Sequence, residues 1–300
     1  MASSPIRVGF QLPQWGGYAT REPLLRLARE AEAAGFDSVW ASDHIVFPAE
    51  SSASYPYSAS GEPPFRAEDG YLEVLTMLAV VAGATERIGL GTSVLVLPMR
   101  ETLLTAKAVA TLDVLSCGRV VLAVSTGWWR EEFAALGADF DARGAVLDAQ
   151  LLALRTLWTD GAASAPGPHV EFAQVVAEPR PAQRGGPEIW IGGQGPRVWA
   201  RIANSQAVGW HGIGYQRERI ASARSGIARA CERAGSDAAA VGISLATGMP
   251  TNGDRMLRRV AELRDAGVRQ VVFIPRGEDL PALLDGIETF AREVRPALGS

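Results

Sequence analysis

Short, mostly apolar runs alternate along the chain with longer segments whose apolar positions recur every three or four residues. The short runs predict strands at Ile6–Leu12, Ser38–His44, Ile88–Leu97, Arg119–Thr126, Glu188–Gly193, Ala207–Gly212, Val241–Met249 and Gln270–Pro275. The periodic segments predict helices at Arg21–Gly35, Glu73–Thr85, Glu101–Ser116, Trp129–Thr159 (interrupted near Gly137–Asp141), from about Gly195, and at Arg217–Gly235, Met256–Gly267 and Leu280–Leu298. Polar stretches intervene at 45–70 and 160–187, the second with a hairpin expected around His169–Ala177. Strands without polar alternation are buried on both faces, and strict strand–helix alternation implies parallel strands with right-handed crossovers. Eight such units predict an α/β chain folded as a (β/α)8 TIM barrel with an insertion before its fifth strand. The expectation is one domain over 1–300, with an open doubly wound sheet as the other arrangement the pattern allows.

With 300 residues, 47% of them apolar, one large core is within reach. The net charge of −4 without a basic run disfavours nucleic acid and anionic membrane surfaces. Cys117 and Cys231 are too few for a disulfide framework and fit a reducing, cytoplasmic setting. No signal segment is recognised before the first strand, and no apolar stretch reaches the ~18 residues that span a bilayer. No metal-ligand spacing is present, so no metal is expected.

Barrels of this kind place their chemistry at the C-terminal ends of the strands. Those positions hold Gln11, Pro13, Gln14 and Trp15 after the first strand, Asp43-His44 at the end of the second and Thr92-Ser93 within the third. Ser125-Thr126-Gly127-Trp128-Trp129 follow the fourth, Gly193-Gln194-Gly195 the fifth, and Trp210-His211 lie in the sixth. An aromatic, hydrogen-bonding mouth with one carboxylate suits a planar cofactor better than a sugar cleaved by paired acids. The glycine run opens a helix, whose free N–H groups suit a phosphate, although a tight turn alone would also call for glycine. An imidazole is the side chain suited to proton movement near neutral pH, which makes His44 the candidate proton carrier; a buried structural histidine is the alternative. His211 is a pocket wall or a core residue. Adjacent Trp128 and Trp129 are expected to bury in different directions, one toward the pocket.

Segments 28–48 (AREAEAAGFDSVWASDHIVFP), 84–124 (ATERIGLGTSVLVLPMRETLLTAKAVATLDVLSCGRVVLAV), 127–137 (GWWREEFAALG) and 187–196 (PEIWIGGQGP) resemble the bacterial luciferase-like monooxygenase superfamily. They are most similar to its branch that uses the deazaflavin coenzyme F420. The resemblance implies a bacterial-luciferase-like barrel, with Asp43 and His44 beside the reactive edge of the cofactor. It further implies a third-strand bulge at Thr92-Ser93-Val94 behind the ring, often with a non-prolyl cis peptide, and a phosphate site at Gly193, Gln194 and Gly195. Gln11, Thr126 and Gly127 complete the expected cofactor contacts; Trp15, Trp128, Trp129, Trp210 and His211 are the expected substrate walls. Three departures stand out. Ser125 replaces a usual glycine, Val208 an expected aspartate, and Trp128 the acid of sugar-phosphate dehydrogenases.

The expected activity is hydride transfer between F420 and an apolar organic substrate. The alternatives are an FMN-dependent monooxygenase served by a separate flavin reductase, and a cofactor-free or flavin-sequestering barrel without redox activity. A homodimer is expected from the resemblance.

Overall fold

A computed structural model describes residues 6–298 apart from 50–52, 57, 59, 64, 67 and 278. The lead-in Met1–Pro5 and parts of the 45–70 loop therefore lie outside the described residues. The order is β1 (Arg7–Gln11), α1 (Arg21–Ala33), β2 (Ser38–Ala41), α2 (Val74–Ala82), β3 (Gly89–Val96), α3 (Thr102–Leu115) and β4 (Val120–Ser125). It continues with α4 (Arg130–Ala135), α5 (Arg143–Thr159), β5 (Ala163–Pro166), β6 (Glu171–Val175), β7 (Glu188–Gly192), α6 (Pro196–Asn204), β8 (Gly209–Ile213) and α7 (Arg217–Ala234). Last come β9 (Gly242–Gly248), α8 (Gly253–Asp265), β10 (Gln270–Ile274) and α9 (Leu280–Thr289). Eight parallel strands close in the order β1-β10-β9-β8-β7-β4-β3-β2, which is the TIM barrel.

Alternation along each strand separates two cores. Val8, Phe10, Val39, Ile189, Ile191, Ile243 and Leu245 face the helices. Trp40, Ala123, Trp190, Ala246 and Val272 fill the barrel interior. The two indoles fit there because glycines face them. A Cβ at Gly9 or Gly91 would lie 2.6 or 2.3 Å from the Trp40 ring, and one at Gly242 would lie 2.9 Å from Trp190. Packing at crystal-like density leaves no room for such overlaps.

Two elements depart from the expected pattern. The second strand stops at Ala41 because the Gln14 side chain captures Ser42 N at 2.7 Å in place of a ladder bond. The hairpin in the insertion pairs Ala163–Pro166 with Glu171–Val175 and turns at 167–170. Its first strand, ASAP, carries no hydrophobic alternation and so could not be read. The helical stretch after β4 is divided where expected, at Gly137, whose φ of +67° suits glycine.

Candidate active site

At the end of β2, His44 and Asp43 diverge. The buried Asp43 carboxylate accepts Val96 N at 2.9 Å and pairs with Arg100, whose Nη2 lies 2.6 Å from Oδ1 and Nε 3.3 Å from Oδ2. Burial pushes this carboxyl above its ordinary range, against the pull of the guanidinium. Burial also works against the Arg100 charge, but Asp43 and Glu73 more than offset it and raise Arg100 above its ordinary value. Asp43 therefore ties β2 to the connection after β3, and its oxygens are engaged there.

His44 faces the other way. Its Nδ1 lies 2.8 Å from Glu132 Oε2, while Glu132 Oε1 accepts Ile45 N at 2.7 Å and Val46 N at 3.4 Å. Glu132 is only 1% exposed. A carboxylate already accepting backbone N–H groups assigns the proton to His44 Nδ1, leaving Nε2 as the basic nitrogen. Among the described residues nothing bonds Nε2. Rings of Phe47, Phe65, Tyr71, Trp128 and Trp129 surround the imidazole at centroid distances of 5.0–6.1 Å. Trp128 and Trp129 stack face to face at 5.0 Å, so both border His44 instead of diverging. Trp15 stacks on Tyr71 at 6.1 Å and extends this wall. A pocket of about 430 Å³ lies against Phe47, Phe65, Trp128 and Trp129.

Gln11 ends β1 on the interior face and is 7% exposed, and its side-chain amide has no hydrogen-bond partner among the described residues. The register of β3 against β4 shifts between Ser93 and Leu95, and the Ser93–Val94 peptide is cis. Thr92 is fully buried and donates to Ala123 O at 2.8 Å, so it meets the mouth through backbone alone. Val94 packs at the edge of the interior cluster. Ser125 Oγ accepts Gly127 N at 3.3 Å, folding its side chain back onto its own turn. Gly127 has φ +74°, and a Cβ there would meet Val96 at 2.7 Å and Phe133 at 2.8 Å. Gly193 (φ +90°) and Gly195 (φ +97°) lead into α6, and a Cβ at Gly195 would meet nothing within 4 Å. Gln194 and Thr126 border a groove of about 910 Å³ between α5 and α6, with Arg143 and Arg197 on its flanks.

The adjacent Trp210 and His211 part company. Trp210 turns outward, edge-on to Trp199 at 5.5 Å, and donates to Gly193 O at 2.6 Å. It thus braces the glycine turn from behind and does not line the mouth, contrary to the expected pocket wall, because alternation on β8 points it at α6. His211 turns inward, stacks on Trp40 at 5.3 Å, and bridges Ser93 Oγ and Ser244 Oγ at 2.9 Å each. Burial lowers its pKa to about 4, so it is neutral at ordinary pH. Below the unfolded value of about 6.5, the unfolded chain binds a proton that the folded chain refuses. The stability this confers is complete above pH ~6.5 and is lost as pH falls toward ~4. Denaturant titrations should show wild type losing about 2 kcal/mol more than His211→Gln between about pH 7.5 and about pH 5. Equal losses in the two proteins would contradict the assignment.

Sequence reasoning missed Glu132 and Arg100, and saw in Gln14 only a position after the first strand. Glu132 carried a signal: it shares one helix face with Trp129, Phe133 and Leu136, an acid on an apolar stripe. Gln14, fully buried, donates to Ser42 O at 2.9 Å and Leu72 O at 2.8 Å and so stitches three loops together beside the mouth. Among the described residues no cluster of His, Cys, Asp and Glu could hold a metal, and no helix is long and apolar enough to cross a membrane.

The family model for luciferase-like monooxygenases matches residues 6–275, and the chain belongs to that family. An uncharacterised protein of Mycobacterium tuberculosis is 28% identical over 277 residues, 89% of this chain and 93% of the relative. An F420-dependent glucose-6-phosphate dehydrogenase of Amycolatopsis mediterranei is 33% identical over 58% of this chain and 48% of its own length. An alkanal monooxygenase alpha chain of Photorhabdus luminescens is 26% identical over 61% of this chain and 45% of its own length. Among solved structures, an F420-dependent secondary alcohol dehydrogenase superposes with a TM-score of 0.79 at 15% identity, covering 99% of this chain and all of that one.

Proposed function

We propose that the barrel mouth binds coenzyme F420 and catalyses hydride transfer between it and an organic substrate with an apolar body. The observation that carries this is the His44–Glu132 pair, a histidine with one nitrogen fixed and the other left basic, set in an aromatic wall beside the β3 bulge. The relative named as an F420-dependent dehydrogenase supports the choice of cofactor.

The residues fit such a group. Gly193 and Gly195 hold backbone conformations with positive φ and present no side chain, and the space beside Gly195 is open to a phosphate. Gln194 lies within that turn, and Thr126 lines the same groove. The amide of Gln11 has no other partner among the described residues and could bond a ring edge. Ser125 keeps its hydroxyl on Gly127 N, which limits its intrusion. Coenzyme F420 would supply the hydride-carrying ring carbon. His44 would hold or release a proton at Nε2, and Glu132 would keep the imidazole in the right tautomer and orientation. Asp43 would act through Arg100, as a positioning residue for the end of β2. Trp15, Trp128 and Trp129 would wall the substrate and exclude water, and His211 with Ser93 would support the bulge from inside the barrel.

A second reading is a monooxygenase using reduced FMN and oxygen, fed by a flavin reductase. The matched family and the alkanal monooxygenase relative favour it. Fluorescence titration with F420 and with FMN separates the two: the proposal expects tight F420 binding and weaker FMN binding.

A further inference from the structure

Four guanidiniums crowd one pocket at the C-terminal end of β9 and β10. Arg255, Arg258, Arg259 and Arg276 line a cavity of about 320 Å³ together with Thr247, and among the described lining residues Glu262 is the one carboxylate. Glu262 is already engaged by Arg259, Nε to Oε2 at 3.4 Å. Arg259 is further held by the Tyr215 ring at 4.4 Å and by Thr247 Oγ1 at 3.5 Å. Among the described residues no acid pairs with Arg255, Arg258 or Arg276. Unlike the chain, whose net charge is −4, this pocket is strongly positive. Gathering like charges without counter-charges is unfavourable and focuses anions from solution.

The pocket also shows a specific fit. Arg276 lies across the end of β9, where a Cβ at Gly248 would come within 2.7 Å of its Nη2 and 2.8 Å of its Nε. A side chain at 248 would displace the guanidinium, so the glycine leaves room for Arg276 to reach across the strand end. β9 and β10 are the seventh and eighth strands of the barrel, the ends at which barrels of this kind often take up phosphate groups. The glycine turn proposed for the cofactor follows β7, two strands beyond β9, and His44 follows β2, two strands beyond β10 on the other side.

We infer that this pocket is an anion site, which seats a carboxylate or phosphate arm of the substrate at the rim of the mouth while the rest of the substrate meets the aromatic wall. Its volume suits one such group with a few attached atoms and is too small for a whole cofactor. Guanidinium forks match both oxyanions, with the dianion favoured by charge. The assignment to substrate rests on the reading of the mouth proposed above; the anion site itself is testable without cofactor.

The experiment titrates the full chain at constant ionic strength with inorganic phosphate and, separately, with acetate, following the arginine Nε–Hε NMR signals. It is repeated on Arg258→Gln/Arg276→Gln, whose substituted side chains are exposed and leave the core intact. Expected are saturable shifts of the Arg255, Arg258 and Arg276 signals with at least one of the two anions, the better one naming the arm. Affinity should fall about tenfold or more in the double variant. F420 affinity should be the same in both proteins. No saturable shift with either anion, or equal affinity in the double variant, would overturn the site. A parallel loss of F420 affinity would overturn its assignment to substrate. If wild type bound neither F420 nor FMN yet phosphate still saturated these arginines, the redox reading would fail and the anion site would stand.

Discussion

Replacing His44 by alanine is expected to lower kcat by about 10²–10³-fold while leaving F420 affinity within about threefold. The expectation follows from the division of labour at the end of β2. Nδ1 is tied to Glu132 at 2.8 Å, the carboxylate also accepts two backbone N–H groups, and Nε2 is the nitrogen left for chemistry. The proposed phosphate contacts lie on β7 and α6, away from this residue, so binding should survive the change. Glu132→Gln should reduce turnover less and move the pH profile, because an amide can still bond Nδ1 but no longer fixes its tautomer. Steady-state kinetics with reduced F420 supplies both readouts, and wild-type turnover in His44→Ala would remove the histidine from the mechanism.

Gly91→Ala should cost about 3 kcal/mol or more of stability, a large effect for a single methyl group. Its Cβ would stand 2.3 Å from Trp40 Cδ2, and Trp40 has nowhere to go: it is fully buried, donates to Ser38 Oγ at 2.7 Å, and stacks on His211. Gly9, whose Cβ would lie 2.6 Å from the same ring, closes another side. A smaller residue at 40 should relieve the clash, so Gly91→Ala/Trp40→Leu should be more stable than the sum of the two single changes predicts. Strict additivity in denaturant titrations would mean that the interior tolerates the methyl group by another route. Because Trp40 also supports His211 and through it Ser93, the single variant should loosen the bulge at the mouth as well.

The barrel was legible in the chain because its strands are continuous apolar runs between periodic segments. The same continuity hid which way each strand residue faces. Trp210 and His211 both read as mouth residues, yet one braces the glycine turn from outside and the other is locked inside between two serines. Trp40 and Trp190 read as ordinary strand residues, although they fill the barrel and explain glycines at 9, 91 and 242. At the mouth, His44 stood out by its place after a strand. Its partner Glu132 stands 88 positions further along the chain, and only the closed fold brings the two together. Asp43 stood out equally but meets Arg100, a contact between residues 57 positions apart that no local pattern announces. The arginine pocket combines side chains after β9, on α8 and after β10, so only the closed fold brings it together.

Titration of the purified chain with F420 and, separately, with FMN tests the central claim most directly. The account predicts saturable F420 binding, with FMN weaker by about tenfold or more, about 1.4 kcal/mol of preference. Preference for FMN would contradict the deazaflavin assignment and favour the monooxygenase, and binding of neither would contradict a redox role for the mouth altogether.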